Sequence, residues 1–459
     1  MALDFLVERF LASERRDAVV WRGTAYSYGW LLERFRHWTR ELESRGLPPG
    51  SVVCLEADFS PNSIALLLAL FARESILVPI TSSVSHKKQR FLEIVQAEYA
   101  IVIDGSDETS IRELGRAADH EYFRRLRSLR HPGLVLFSSG STGESKAAVH
   151  DFASLLEKFR VPRHSLRSVS FLLYDHIGGV NTMLYVLSNG GCLVTVPARD
   201  PDTVLKAVQE FRVELLPTSP TFLNLILLSE AYRRYDLSSL KTVTYGTEPM
   251  PASTLERIRK ALPHADLLQT YGLSEVGILR SKSRGPESLW VKIGGEGFET
   301  RVVDGILHIK AKSAMFGYLN APSPFTDDGW MNTGDAVEVD GEWLRILGRK
   351  SEIISVGGEK VYPAEVESVL QTIPNVAEVT VYAEKNALTG HVVAASFRLR
   401  EPEELSSFRT KTRIFCRGKL RPYQIPARIV LSEAVQHGGR FKKTRTEDGG
   451  DSPERTPSV

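Results

Sequence analysis

The sequence has little cysteine: only Cys54, Cys192 and Cys416, an odd number, far apart and without a CxxC pair. That excludes a disulfide scaffold or a zinc module and points to a reducing compartment, so the chain reads as cytoplasmic. Long apolar runs are also missing. The longest, residues 64–72, falls far short of the roughly 20 needed to cross a bilayer. Residues 1–16, MALDFLVERFLASERR, do not resemble an export signal and read as an amphipathic helix mixing acids and bases. No charge of one sign dominates, with 58 Lys+Arg against 56 Asp+Glu and a net of +2, which argues against a dedicated nucleic-acid binder. What remains is ordinary for a globular protein, 42% hydrophobic and 25% charged. At roughly 150 residues per domain, 459 residues make three domain-sized units, or one large lobe with a smaller one.

Strand-like and helix-like patterns alternate through most of the chain. Residues 51–56 (SVVCLE) predict a strand, 62–73 a helix and 75–80 (SILVPI) another strand. Later, 191–197 precede a helix over 201–211, then 213–216 and a helix near 221–228. Short β-rich runs separated by 10–15-residue helices imply right-handed crossovers and largely parallel sheets. The texture changes after about Trp290. Residues 300–310 predict a hairpin closed at Asp304-Gly305, and a second Asp-Gly pair stands at Asp340-Gly341. Residues 363–373 predict a helix, 376–384 and 392–399 strands, and 406–420 a further helix, a compact α+β unit of about a hundred residues with its own core. The polar stretch from about 447 to 459 reads as a disordered tail.

Three stretches carry chemistry. In residues 134–149, LVLFSSGSTGESKAAV, an apolar strand runs into Ser138, Ser139, Gly140, Ser141, Thr142, Gly143, Glu144, Ser145 and Lys146. Small hydroxyl residues and glycines let N–H and O–H groups converge on an anion, and the lysine adds a point charge, a composition that suits a triphosphate. A flexible surface loop has the same composition. It is not a Walker A loop, because Gly143 and Lys146 are separated by two residues. In residues 268–277, LQTYGLSEVG, an aromatic, a glycine and an acid fit a base-stacking ring, a close backbone approach and a metal-binding carboxylate; a plain turn would also explain them. In residues 326–367, Asp335 could accept from a ribose diol, Arg349 follows Gly348, and Gly357-Gly358 allow close approach or unusual dihedrals.

These stretches, in this order, resemble the adenylate-forming superfamily of acyl-CoA ligases, stand-alone adenylation domains and luciferases. Residues 138–146 are similar to its phosphate loop T-S-G-[ST]-T-G-x-P-K, and 269–275 to N-x-Y-G-x-T-E. Residues 330–335 match W-x-x-T-G-D, and 348–365 the G-R … G … P-x-E block that opens a mobile lid. The resemblance covers essentially residues 20–445.

It implies an α/β fold: a large N-terminal lobe (1–348) of parallel-rich sheets with helices plus a β-rich subdomain, and a small mobile α+β lid (349–446). Ser138 to Lys146 would hold the β- and γ-phosphates of ATP. Gly246-Thr247-Glu248 would flank adenine, with Tyr271 stacked on it and Gly272 beside it. Ser274 would touch the α-phosphate and Glu275 would bind Mg2+. Asp335 would hold the ribose hydroxyls, with Arg349 beside it. His176, in YDHIGG, matches the residue that gates the acyl pocket, which Tyr174, Thr218, Tyr245, Gly246 and Leu273 would line. The lid would rotate about Ser351 and bring Gly357-Gly358 to the pantetheine arm of a thiol. The activity implied is conversion of a fatty or aryl acid to acyl-AMP, then to an acyl-CoA thioester. The alternatives are transfer of an acyl or aminoacyl group to carrier-protein phosphopantetheine or to an amine, or a catalytically weakened nucleotide-binding homologue. Asp175, next to His176, keeps an amino-acid substrate open.

The departures from the pattern are specific. Ser145 replaces the usual Pro, Ser274 the usual Thr, and Ser351 the usual Asp or Lys. The near-terminal motif [SN]-G-K-x-x-[RK] is matched by Gly438-Gly439-Arg440-Phe441-Lys442-Lys443, so its catalytic lysine aligns with Arg440. Arginine keeps the charge but not the compact ammonium. Either Lys442 or Lys443 substitutes, Arg440 works in its place, or adenylation is slow; a plain solvated surface also accounts for the two lysines.

Overall fold

A computed structural model describes residues 3–139, 144–438 and 443. The arrangement is four sheets with helices packed on and between them. In the first sheet, six strands run parallel in the order Asp266–Gln269, Thr242–Tyr245, Leu215–Thr218, Arg167–Val169, Cys192–Val194, Asp17–Trp21, and Thr24–Ser27 closes the edge antiparallel. The second has a parallel centre of Gly133–Ser139, Ile76–Ile80, Val52–Glu56 and Tyr99–Ile103. Its edges are antiparallel: Ser145–Asp151 and Gly317–Tyr318 on one side, Thr109–Glu113 on the other.

Why the two sheets join is legible in one helix. Pro61–Ala72 starts on a capping box between Ser60 and Ser63, with proline at its first turn, and Pro61 to Phe71 are all buried. A helix apolar on every side must be covered on every side. Its residues share one core with Val19 and Leu193 of the first sheet and with Val53, Leu77 and Leu134 of the second. The Phe71 and Phe152 rings stack at 3.5 Å between centroids.

The third sheet is antiparallel throughout and runs Tyr271–Leu273, Gly277–Ser283, Trp290–Gly294, Trp343–Arg349, Met331–Asp340, Ile306–Ala311, Phe298–Val303. The expected turns at 304–305 and 340–341 both close hairpins in it. A short turn at Lys350–Glu352, which contains the exposed Ser351, leads to the fourth sheet. There Glu359–Val361, Ile354–Val356, Gly390–Leu399 and Val376–Asn386 lie in order, with Arg428–Leu431 on the long strand Gly390–Leu399. Helices Pro363–Leu370 and Leu405–Cys416 contribute Val366, Leu370, Phe408 and Cys416 to its separate core. The expected elements are present with ends displaced by at most four residues; the N-terminal helix, for example, is Asp4–Ala12. No helix among the described residues is long and apolar enough to cross a membrane.

Candidate active site

The glycine- and serine-rich loop is the tip of a hairpin. Strand Gly133–Ser139 turns back antiparallel into Ser145–Asp151, with Ser138 opposite Lys146. The site is therefore not the strand–loop–helix arrangement that supplies a helix N-terminus. Ser138 and Lys146 are half-buried at the base of that tip. Gly140, Ser141, Thr142 and Gly143 lie outside the described residues, as does the side chain of Ser139.

A second hairpin carries the next two candidates. Tyr271–Leu273 pairs with the start of Gly277–Ser283, leaving Ser274 and Glu275 on the connecting turn. Gly272 is forced by this pairing: a Cβ there would sit 2.8 Å from the Gly277 carbonyl oxygen and 2.9 Å from the Ile278 Cα. Tyr271 is buried in the core of the antiparallel sheet. Its hydroxyl donates to Asp335 Oδ2 at 2.5 Å. Burial, reinforced by the Asp335 charge, pushes that hydroxyl well above its ordinary range, so it stays a donor.

Asp335 meets Arg349 because the strands pair them directly in register. Arg349 Nε lies 2.8 Å from Asp335 Oδ1 and its guanidinium also donates to the Thr333 carbonyl at 2.7 Å. Asp335, only 6% exposed, is thus a charged acceptor held rigidly from two sides.

Glu275 and Lys146 are linked by a residue the sequence did not single out. Tyr318, from the edge strand paired to Ser145–Asp151, donates its hydroxyl to Glu275 Oε1. Lys146 Nζ stands 5.4 Å from the centroid of the same ring. Burial and the neighbouring Glu275 raise the Tyr318 hydroxyl, while the Arg349 charge acts on it in the opposite sense. Among the described residues no cluster of three or more His, Cys, Asp or Glu could hold a metal ion. A single half-buried carboxylate beside a lysine fits magnesium, which keeps several waters and is held by one or two carboxylates together with substrate phosphates. Glu275 is the residue that would hold it.

The acyl-pocket candidates divide. Thr218 and Tyr245 are cross-strand partners, and Tyr245 also pairs with Gln269, so the three form a row at the C-terminal ends of parallel strands. That is where α/β sheets place ligands. Thr218 Oγ1 and Gln269 Oε1 are buried with no protein hydrogen-bond partner, as expected where a ligand or water completes the set. Gly246 packs on the next residue of that strand, since a Cβ would meet Thr270 Oγ1 at 2.6 Å. His176 caps helix Ile177–Ser188, with Nδ1 accepting from the Gly178 N–H at 3.1 Å, and Leu273 is half-buried. Tyr174, by contrast, is fully buried in the core, edge-on to Phe59, with its hydroxyl 3.4 Å from the Asp58 carbonyl. Asp175 accepts from the Thr81 hydroxyl at 3.0 Å and shares the field of Arg199 with Asp58.

Thr247 adopts a left-handed φ of 74°. Glu248 accepts from the Thr221 N–H at 2.7 Å, at the start of helix Pro220–Ser229, and from the Lys443 N–H at 3.3 Å. Lys443 turns its ammonium inward, to Glu367 Oε2 at 3.0 Å and the Val379 carbonyl at 2.9 Å. Gly357-Gly358 form the exposed two-residue turn of the hairpin Ile354–Val356/Glu359–Val361, both with positive φ. That turn accounts for both glycines locally. Arg440 and Lys442 lie outside the described residues.

His150 also escaped notice in the sequence. It is fully buried, three residues beyond Ala147 on the same strand, and faces the backbone of Ser274 and Ser313 without closing a well-formed hydrogen bond.

Comparison with known proteins shows the family. The family described as AMP-binding enzyme matches residues 8–305, and the AMP-binding enzyme C-terminal domain matches 365–446. The "4-coumarate--CoA ligase-like 9" of Arabidopsis thaliana is 28% identical over 350 residues, 69% of this chain and 61% of its own length. Indoleacetate--CoA ligase of Aromatoleum aromaticum is 28% identical over 344 residues, 69% and 66%. The chain thus matches under two thirds of the length of these relatives. The anthranilate CoA ligase AuaEII, solved with anthranoyl-AMP, superposes with a TM-score of 0.80 at 20% identity, covering 96% of this chain and 95% of that one. The amide bond synthetase McbA of Marinactinospora thermotolerans gives 0.75 at 21%, covering 96% and 98%. On the family match over most of its length, the chain belongs to the AMP-binding enzymes of the adenylate-forming superfamily.

Proposed function

We propose that this protein activates a carboxylic acid with ATP and passes the acyl group to a thiol, most directly that of CoA. In the first step a carboxylate oxygen of the acid attacks the α-phosphorus of ATP. The bond to the bridging oxygen breaks, pyrophosphate leaves and acyl-AMP remains. In the second step the thiol sulfur attacks the acyl carbonyl, the mixed-anhydride C–O bond breaks, AMP leaves and the thiol proton goes to solvent. Neither step needs a covalent enzyme nucleophile.

The observation that carries this reading is the convergence on one short hairpin, residues 271–277, of the Asp335–Arg349 pair at one end and Lys146 with Glu275 at the other. Asp335 is set to accept from a ribose diol, and Lys146 to lie against phosphate oxygens. Ser274, on the turn of that hairpin, is the residue we assign to the α-phosphate. Magnesium held at Glu275 would neutralise phosphate charge as pyrophosphate departs. The chain's own part is placement and fixed charge, the two terms that dominate such transfers.

The lid supplies a further cation. Lys443 is committed to Glu367 and Val379, so Arg440 is the first candidate and Lys442 the second. The unpartnered polar atoms of the row Thr218, Tyr245, Gln269 support a reading in which the acid binds at the strand ends, with His176 as its gate. Asp175 is already answered by Thr81 and Arg199, which favours an acid without an amino group, aryl or fatty. An amine acceptor remains the second reading, favoured by the likeness to an amide bond synthetase.

The test is incubation with ATP, Mg2+, CoA and a panel of aryl and fatty acids, followed by mass detection of AMP and thioester. AMP with free acyl-CoA supports the proposal. AMP that appears only with a carrier protein or an amine moves the acceptor, and no AMP with any acid overturns it.

A further inference from the structure

We propose that Tyr318 is a positioning residue that keeps Lys146 and Glu275 apart and each available to the nucleotide; this rests on the reading of those two as the phosphate cation and the magnesium carboxylate. An ammonium and a carboxylate held close in a partly buried site attract strongly. Left alone they would close into an ion pair and withdraw both from the ligand. Among the described residues Lys146 and Glu275 form no such pair, although both approach Tyr318.

The tyrosine satisfies each by a different part. Its hydroxyl donates to one oxygen of Glu275, which fixes the rotation of the carboxylate and leaves Oε2 for a cation. Its ring offers a π face to the Lys146 ammonium at 5.4 Å, a weak attraction that a phosphate can outcompete.

The backbone around Tyr318 is fastened to both partners. Met315 N–H donates to the Glu275 carbonyl at 2.8 Å, and Leu319 N–H to the Ala147 carbonyl at 2.9 Å. Asn320 then brackets Lys146: its Oδ1 accepts from Ala147 N–H at 2.9 Å and its Nδ2 donates to the Ser145 carbonyl at 3.0 Å. Six residues of chain therefore set the spacing between two hairpins that are remote in sequence.

The test compares Tyr318→Phe, which keeps the ring and loses the donor, with Tyr318→His, which keeps a donor. ATP affinity is measured by calorimetry with Mg2+ and again in EDTA, and the Mg2+ dependence of acid-dependent turnover is titrated. Tyr318→Phe should weaken Mg2+–ATP binding by about tenfold and raise the half-saturating Mg2+ by a similar factor. ATP binding in EDTA should change less than about twofold, and Tyr318→His should recover part of the Mg2+ response. An unchanged Mg2+ curve in Tyr318→Phe, or equal weakening with and without Mg2+, overturns the inference. Wild-type protein that binds no ATP under either condition would instead remove the reading on which it rests.

Discussion

Asp335 holds two hydrogen-bonding partners before any ligand arrives, and its value is in being an immobile charged acceptor. Asp335→Asn keeps the shape and loses the charge. A hydrogen bond to a charged group contributes about 1.5–3 kcal/mol, so KM for ATP should rise roughly 10–100-fold with little change in the KM of the acid. Equal changes in both would show a general collapse of the site. His150 makes a pH prediction. Burial lowers its pKa from the ordinary 6.5 to about 4, so the folded protein refuses a proton that the unfolded chain accepts in that window. Stability should therefore be lost as pH falls from about 6.5 toward 4, by on the order of 3 kcal/mol in total. Urea unfolding at pH 7.5 and 4.5 checks this: wild type should lose about 2 kcal/mol more than His150→Leu, and parallel losses would assign the slope elsewhere. At this scale the contiguous motifs made Lys146, Glu275, Tyr271, Asp335 and Arg349 visible. Tyr318 and His150 were not, because nothing near them in sequence signals a partner more than forty or a hundred residues away.

The elements read most clearly from the sequence were those with strong local chemistry. Proline at the first turn and uninterrupted apolar character announce Pro61–Ala72, and Asp-Gly pairs announce two hairpins. Strand Gly277–Ser283 (GILRSKS) was missed because its second half is polar and half-exposed. Gly317–Tyr318, two residues long, has no period to detect and exists only through its pairing. Gly357-Gly358 show the limit of reading function from glycine, since the hairpin needs both whether or not a thiol passes nearby. The proposed hinge lies in the exposed turn Lys350–Glu352, between two sheets with separate cores. Proline at position 351 fixes φ and removes an N–H. Ser351→Pro should spare acyl-AMP formation, seen as acid-dependent pyrophosphate release, and reduce thioester formation at least tenfold if rotation is required. Equal loss of both half-reactions would count against lid rotation.

Across the whole molecule, near-neutral net charge agrees with a protein that meets an anionic ligand with a few placed cations and not with a basic surface. The alternation of strands and helices foretold parallel-rich sheets. How two such sheets share a buried helix, and how the hairpin of a third, antiparallel sheet brings Glu275 to Tyr318 of the second, depends on long-range pairing that no local pattern encodes. Those pairings bring four separated motifs to one place, where we propose that carboxylic acids are adenylated. Acid-dependent exchange of labelled pyrophosphate into ATP, run with Mg2+ over a broad panel of aryl, fatty and amino acids, tests it most directly. Exchange is expected with at least one aryl or fatty acid and none without acid. A protein that binds ATP yet exchanges pyrophosphate with no acid in the panel would contradict it.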